Sequence, residues 1–488
     1  MALLALGACS SVSNTPSDGQ TGGDGPQDLG GDARRDGAAG EQVVQEGGPN
    51  EGGPTGDTGP ALTHIWSKRF GSNGDDHVRG VGVDPSGNIT ITGSFHGTVS
   101  LGGKPLVSWA KADIFVASFD AAGNHRWSQR YGGSEDDSGE GVAVDKSGNV
   151  YITGWSGSSQ TDFGGGALGH AGGGDIVVAS FDKTGAHRWS KRFGGANWQY
   201  GNELAVDASG NVTVVGSTEN SLDFGGGTLS SHGYQDVFVA SFDSGGAYRW
   251  ANLFGSNSND GGSDVAVDAS GNVYLTGYYG KSMDLGGTSH SCAGGTDIFV
   301  ASFSSMGLYR WSKGLGFPSD DAGRAVALDS AGNVTVAGVF QGTVNFGGGL
   351  VTSTGARDIF LASYDTSGKF RWAKAYGGTD DEYPNALLID KAGNHYLLGD
   401  FATTTNLGGG ALTSAGGKDI ILASFDKTGG HRYSRAFGYP SDDYGASLVF
   451  DSTGNLVLGG DFTVGLDLGG DVLIGQGGSD AFLGKLVP

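Results

Sequence analysis

The chain has 488 residues, of which 96 are Gly and only 11 are Pro, a glycine share near one in five against a usual ~7%. No Gly-X-Y period runs through it, so collagen is excluded, while 37% hydrophobic and 10% aromatic residues are too many for a wholly disordered chain. With 29 Lys+Arg against 52 Asp+Glu the formal charge is −23, and no basic block interrupts it, which argues against nucleic acid as a partner; no apolar stretch reaches the ~18 residues of a transmembrane helix.

In chain order, the first element is the apolar run "LLALGAC", ending at Cys9. It resembles the lipobox of bacterial lipoproteins, with Leu6, Gly7 and Ala8 preceding the cysteine. The resemblance implies lipidation of Cys9 after cleavage, and Ser10 in the next position resembles lipoproteins sent to the outer membrane. Acyl chains on Cys9 would supply enough buried methylenes for stable anchoring, so the implied partner is outer-membrane lipid and the implied location the bacterial outer membrane or cell surface. The basic n-region is missing, as a start codon assigned too far downstream would explain; the alternative is a chance apolar N-terminus. Lipidation of Cys9 leaves Cys292 without a disulfide partner. Residues 1–9 are thus read as a truncated signal. Residues 10–62, rich in Gly, Asp and Pro with no Phe, Trp or Tyr, are read as a flexible tether or a disordered tail.

From residue 63 to 488 the chain repeats itself. The anchor of "RWSxxFG" falls at Trp66, Trp127, Trp189, Trp250, Trp311, Trp372 and, by substitution, Tyr433, with spacings of 61, 62, 61, 61, 61 and 61. "DxxGN" returns from Asp84 to Asp451, and the element typified by "DIFVASFD" from Asp113 to Asp480. Three markers agree on seven units, and the period is the first thing to explain. Apolar residues alternate with a period of two. "GVAVD" and "NVYITG" flank a tight turn in which Asp accepts backbone N–H groups and Gly supplies a positive φ. "DIVVASFD" and "HRWSKRFG" make a second hairpin, so each unit is a four-stranded antiparallel blade. Such blades bury their faces by stacking about an axis. The first strand, around Trp66, has the character of a fourth strand, and the chain ends on a third. Ile65–Phe70 is therefore expected to complete blade seven and close the ring, and deletion of residues 60–70 to cost far more than that of residues 10–55.

The units resemble the bacterial seven-bladed β-propeller repeats of secreted and surface proteins, on "DxxGNVYxTG" and "GGxxxD", over about 425 residues. The resemblance implies an all-β, seven-bladed propeller and carries little about activity.

Tight turns fall on one face, the lower, and the longer connections, from strand two to three and from blade to blade, are expected on the upper. Acidic residues recur there nine and ten positions after each anchor: Asp75 and Asp76, Asp136 and Asp137, Asp260 after Asn259, Asp320 and Asp321, Asp381 and Glu382, Asp442 and Asp443. They are read either as Ca²⁺ positions or as one Asp per blade capping turn N–H groups while its neighbour faces water. The "DFGGG" elements lack the lysine and the strand-to-helix context of phosphate loops, and their glycines are assigned to tight turns and close backbone approach.

Six of nine Trp are anchors, expected to be buried between blades; Trp109, Trp155 and Trp198 are out of register. Trp155 stands where other repeats have Ser94, Ser217, Tyr278, Val339, Asp400 and Asp461, and Trp198 replaces the first acid of its pair, with Tyr200 two residues on. The one-residue insertion among the repeats also lies in blade two. The sharp reading is an aromatic platform of Trp155, Trp198 and Tyr200 for a sugar ring or a peptide; the bland one is local repacking. His125, His187 and His431 share a lower turn in separate blades and cannot converge on a metal. No catalytic group is assignable. The expectation is a cell-envelope binding module for carbohydrate or protein and not an enzyme; the alternatives are a passive envelope scaffold and a carbohydrate-active lyase or hydrolase.

Overall fold

Each repeat opens on a five-residue turn held by its own side chains. In Asp84–Asn88 the Asp84 carboxylate accepts the backbone N–H groups of Ser86 and Asn88, both at 2.8 Å, and the Asn88 amide donates to its other oxygen at 2.7 Å. Gly87 supplies the left-handed φ of +82° that the turn requires. The same bonds recur at Asp145, Asp207, Asp268, Asp329, Asp390 and Asp451. A turn of similar design, at Asp120 in the first repeat, joins strands three and four. The two hairpins of each blade are thus specified locally, before any packing.

The computed structural model describes Gly56 and residues 62–488; the lipobox with Cys9 and the tether, apart from Gly56 and Leu62, lie outside the described residues. In blade one, Asp76–Val83, Ile89–Phe95, Asp113–Phe119 and His125–Tyr131 pair antiparallel in chain order. Blades two to six repeat this order. In blade seven, Asp443–Phe450, Leu456–Phe462 and Asp480–Val487 are completed by Thr63–Phe70, paired from Thr63 opposite Val487 to Phe70 opposite Ala481. First strands of neighbouring blades touch all the way round, blade seven against blade one included, so they are innermost and the ring is closed. The fold is an all-β propeller of seven blades, closed by its N-terminal strand.

Strands two and three are buried on both faces, as in Ile89–Phe95 and Asp113–Phe119, because each blade is sandwiched between two others. The core lies between blades: Phe70, Val78, Ile91 and Phe115 pack with Val457 and Leu483, joining the two ends of the chain in one cluster.

Two details differ from the sequence expectation. The connection between strands two and three does not stay on the upper face. In five blades it forms a short hairpin, such as Thr98–Val99 with Leu106–Val107, which lies along the outer strand. Its glycine turn reaches the lower end: a Cβ on Gly103 would lie 2.4 Å from the His125 ring. This covers the outer edge, which would otherwise present unpaired backbone groups. The anchors, too, are mostly half-buried, Trp250 and Tyr433 being the buried ones. Each stands on the outer strand and leans over the lower turn of the next blade, Trp189 Nε1 donating to Ser244 O at 3.0 Å and Trp311 Nε1 to Thr366 O at 3.1 Å.

Candidate functional site

The chain crosses from blade to blade on the upper face, and backbone N–H groups there need acceptors. The second members of the acidic pairs provide them from buried positions. Asp76, Asp137, Asp260, Asp321, Glu382 and Asp443 accept the N–H of Ser72, Gly133, Ser256, Phe317, Gly378 and Tyr439, each four residues earlier, at 2.6–3.0 Å. The first members, expected to face water in the capping reading, cap as well. Asp75, Asp136, Asp320, Asp381 and Asp442 accept the N–H of Ser479, Ala112, Thr296, Arg357 and Lys418, the residues that precede strand three of the blade before. They tie the crossing segment to that blade's strand-three loop.

The Asp that opens strand three is brought against the second member of the pair. Asp113 Oδ1 and Asp137 Oδ2 lie 2.3 and 2.6 Å from the point that a Cβ on Gly132 (φ +145°) would occupy, so only glycine fits there. Gly132→Ala is expected to cost about 2 kcal/mol, read as a lowered midpoint of thermal unfolding. Three junctions carry an arginine: Arg69 on Asp480 at 3.1 Å, Arg130 on Asp113 at 2.6 Å and the buried Arg192 on Asp175 at 2.7 Å. In the last, Gln199 replaces the second acid and still accepts the N–H of Gly195. At the other four the arginine position is held by Leu253, Gly314, Ala375 and Ala436; with or without arginine a buried carboxylate oxygen is left without a hydrogen-bond partner, Asp76, Asp113 and Asp175 Oδ1 at the first three junctions and Asp236, Asp297 and Asp419 Oδ1 and Glu382 Oε2 at the others. Burial first, and the neighbouring carboxylate second or later, push Asp321 up to about 7 and Glu382 and Asp443 up to about 8. As Ca²⁺ positions, these junctions offer two carboxylates whose oxygens mostly accept N–H groups, against the roughly six to eight oxygens that Ca²⁺ takes. Among the described residues no group of three or more His, Cys, Asp or Glu is disposed to hold a metal ion.

Trp155, Trp198 and Tyr200 come together where blade two meets blade three. Trp155 lies in strand two of blade two, opposite Ser138; Trp198 is in the crossing segment, and Tyr200 enters strand one of blade three, opposite Ser217. Ring centroids are 5.5 Å apart for Trp155 and Trp198, 5.9 Å for Trp155 and Tyr200, and 5.8 Å for Trp198 and Tyr200, whose planes are within 6° of parallel. Both indoles are half-buried and Tyr200 is buried. Gly174 makes room for them, since a Cβ there would meet Trp198 at 2.5 Å and Trp155 at 3.3 Å. Trp109 stands alone on blade one, 70% exposed.

The cluster lies at the upper mouth of the central channel, and here the structure adds residues that sequence reasoning missed. Across the mouth, Tyr383 is covered by Lys418 at 4.5 Å and Arg324 at 5.3 Å from its ring centre, and Tyr444 by Lys418 at 5.3 Å. Below it, a cavity of about 220 Å³ is lined by Glu203, Asp264, Arg324, Asn385 and Ser447 among others. Burial and their mutual repulsion hold Glu203 well above the usual carboxylate range, and burial pushes Asp264 up to about 7. A signal existed: every first strand carries a bulge, and its extra residue is Arg79, Glu140, Asn202, Ser263, Arg324, Asn385 or Ala446. Six of the seven are polar and their identity varies from blade to blade, as at bulges beside functional sites.

Residues 126–163 match the family described as "Beta-propeller repeat". An uncharacterised WD repeat-containing protein of Acanthamoeba polyphaga mimivirus is 23% identical over 227 residues, covering 39% of this chain and 16% of that protein. The regulatory protein FlaEY of Caulobacter vibrioides is 24% identical over 199 residues, covering 37% of this chain and 19% of that protein. The chain thus spans less than a fifth of either relative. Among solved structures, the WD40 domain of Neurospora crassa Pan2 superposes with a TM-score of 0.43 at 9% identity, covering 86% of this chain and 97% of that one. No helix among the described residues is long and apolar enough to cross a membrane. What the chain carries is a β-propeller repeat domain.

Proposed function

We propose that the protein is a binding module that takes carbohydrate or protein on its upper face, through Trp155, Trp198 and Tyr200, and is displayed on a bacterial envelope by lipid at Cys9. One observation carries the reading. Three aromatic residues that break the repeat, from two blades and the segment between them, converge within 6 Å at the channel mouth with both indoles half-buried. Stacked aromatic surface with a polar rim is what sugar rings and peptide side chains dock against. No reaction is assigned to the site.

The test is an array of glycans, peptidoglycan fragments and peptides, read with the wild-type chain and Trp198→Ala, in Ca²⁺ and in EDTA. Binding is expected to persist in EDTA and to fall about tenfold or more in Trp198→Ala, a loss of at least ~1.4 kcal/mol. No binding by the wild-type chain would leave the passive scaffold as the better reading.

A further inference from the structure

The repeat supplies internal controls for the aromatic cluster. Tyr383 and Tyr444 occupy in blades six and seven the position that Tyr200 occupies in blade three. The Tyr383 hydroxyl donates to Asp381 at 3.0 Å and accepts from Arg357 at 3.1 Å, and the Tyr444 hydroxyl donates to Asp442 at 3.5 Å. At the blade two to three junction both kinds of partner are replaced. The residue two before Tyr200 is Trp198 instead of Asp, and the residue matching Arg357 and Lys418, before the opening Asp of strand three, is Gly174. In consequence Tyr200, nine-tenths buried, has a hydroxyl with no hydrogen-bond partner.

A buried hydroxyl without a partner is costly, and a site that leaves one beside two half-buried indoles favours a ligand that completes it. The charges that bear on this hydroxyl are the carboxylates of Glu140, in strand one of blade two, and Glu219, after strand two of blade three. The nearby guanidinium, Arg192, is committed to Asp175, Ser156, Ser158 and His170.

We propose that this junction takes an uncharged, hydroxyl-rich ring, a neutral hexose unit of a glycan, which stacks on the indoles and bonds Tyr200 Oη, and that Glu140 and Glu219 turn away uronates and other anions. This rests on reading the aromatic cluster as a binding site. Glutamates accept sugar hydroxyls, and they repel a ligand carboxylate by the same charge.

The experiment titrates the full chain, followed by tryptophan fluorescence and calorimetry at low salt, with cellohexaose, maltohexaose, chitohexaose and hexagalacturonate. At least one neutral hexamer is expected to bind, and hexagalacturonate at least tenfold more weakly. Tyr200→Phe, which keeps the ring, should weaken the neutral ligand about tenfold while the melting temperature of the free protein stays level or rises, and Glu140→Gln with Glu219→Gln should narrow the gap to the uronate. Equal or tighter uronate binding overturns the charge selection while leaving the carbohydrate reading standing. Wild-type affinity in Tyr200→Phe overturns the role of the hydroxyl. Binding of peptides alone, or of no hexamer, overturns both this inference and the carbohydrate reading beneath it.

Discussion

Deleting Thr63–Phe70 is expected to take away most of the stability of the ring. Strand three of blade seven loses its entire outer partner, seven residue pairs from Thr63 opposite Val487 to Phe70 opposite Ala481. Phe70 and Trp66 also leave the cluster that joins blade seven to blade one, where Phe70 stacks on Phe119 at 5.3 Å. Burial of those two rings alone contributes roughly 4 kcal/mol, and with the lost strand pairing the cost is on the order of 5 to 10 kcal/mol, comparable to the whole stability of a typical domain. Calorimetry should show a broad transition far below that of the parent, with an enlarged hydrodynamic radius. A deletant that melts cooperatively within a few degrees of the parent would mean that the remaining contacts between blades hold the ring unaided.

Raising the pH from 5 to 8 is expected to destabilise the propeller by on the order of 4 kcal/mol or more. Asp76 and Asp321 are pushed up to about 7, and Glu382 and Asp443 up to about 8, chiefly by burial, with Asp480, Asp297, Asp358 and Asp419 as the facing carboxylates. Between the ordinary carboxylate range and these values the folded chain holds protons that the unfolded chain has released. Stability is therefore greatest in mild acid and falls as pH rises, by ~1.4 kcal/mol per unit for each such proton. The opposite sign holds below about pH 4. Asp120 and Asp426, held below the usual range by the Asn124 amide and the Thr428 hydroxyl, lose their turn bonds on protonation. The optimum falls near pH 4. Asp443→Asn, which imitates the protonated acid, should flatten the descent by about one proton. Melting temperatures that stay level or rise from pH 5 to 8 would show that the junctions are neutralised by something other than protons, and a rise on adding Ca²⁺ at pH 8 would name it.

Where the chemistry is local, the sequence was legible. The Asp84–Asn88 turn is complete within five residues, so its bonds, its glycine and its seven recurrences could be read along the chain, and the closing strand followed from the mismatch of its two ends. Asp113 and Asp137 were both visible, one as a register mark and one as a cap or metal position. Their meeting over Gly132 depends on how one blade settles against the next, which no spacing expresses. The bulge after Val78 and its equivalents hid the channel in a different way. One extra residue shifts the period-two alternation, so Glu203 and Asp264 read as breaks in a strand although they line a cavity. The aromatic cluster was partly legible because repetition made Trp155 and Trp198 conspicuous as exceptions. Tyr200 counts through what its equivalents have and it lacks, and that needs the hydrogen bonds of Tyr383 and Tyr444 beside it.

The pairing of Thr63 with Val487 also places the seam of the ring on one face. Both residues sit where the other six blades have the lower turn between strands three and four, so the chain enters and leaves at the rim of the face opposite the aromatic mouth. Trp155, Trp198 and Tyr200 therefore stand at the opposite end of the blades from the point where these two strands meet.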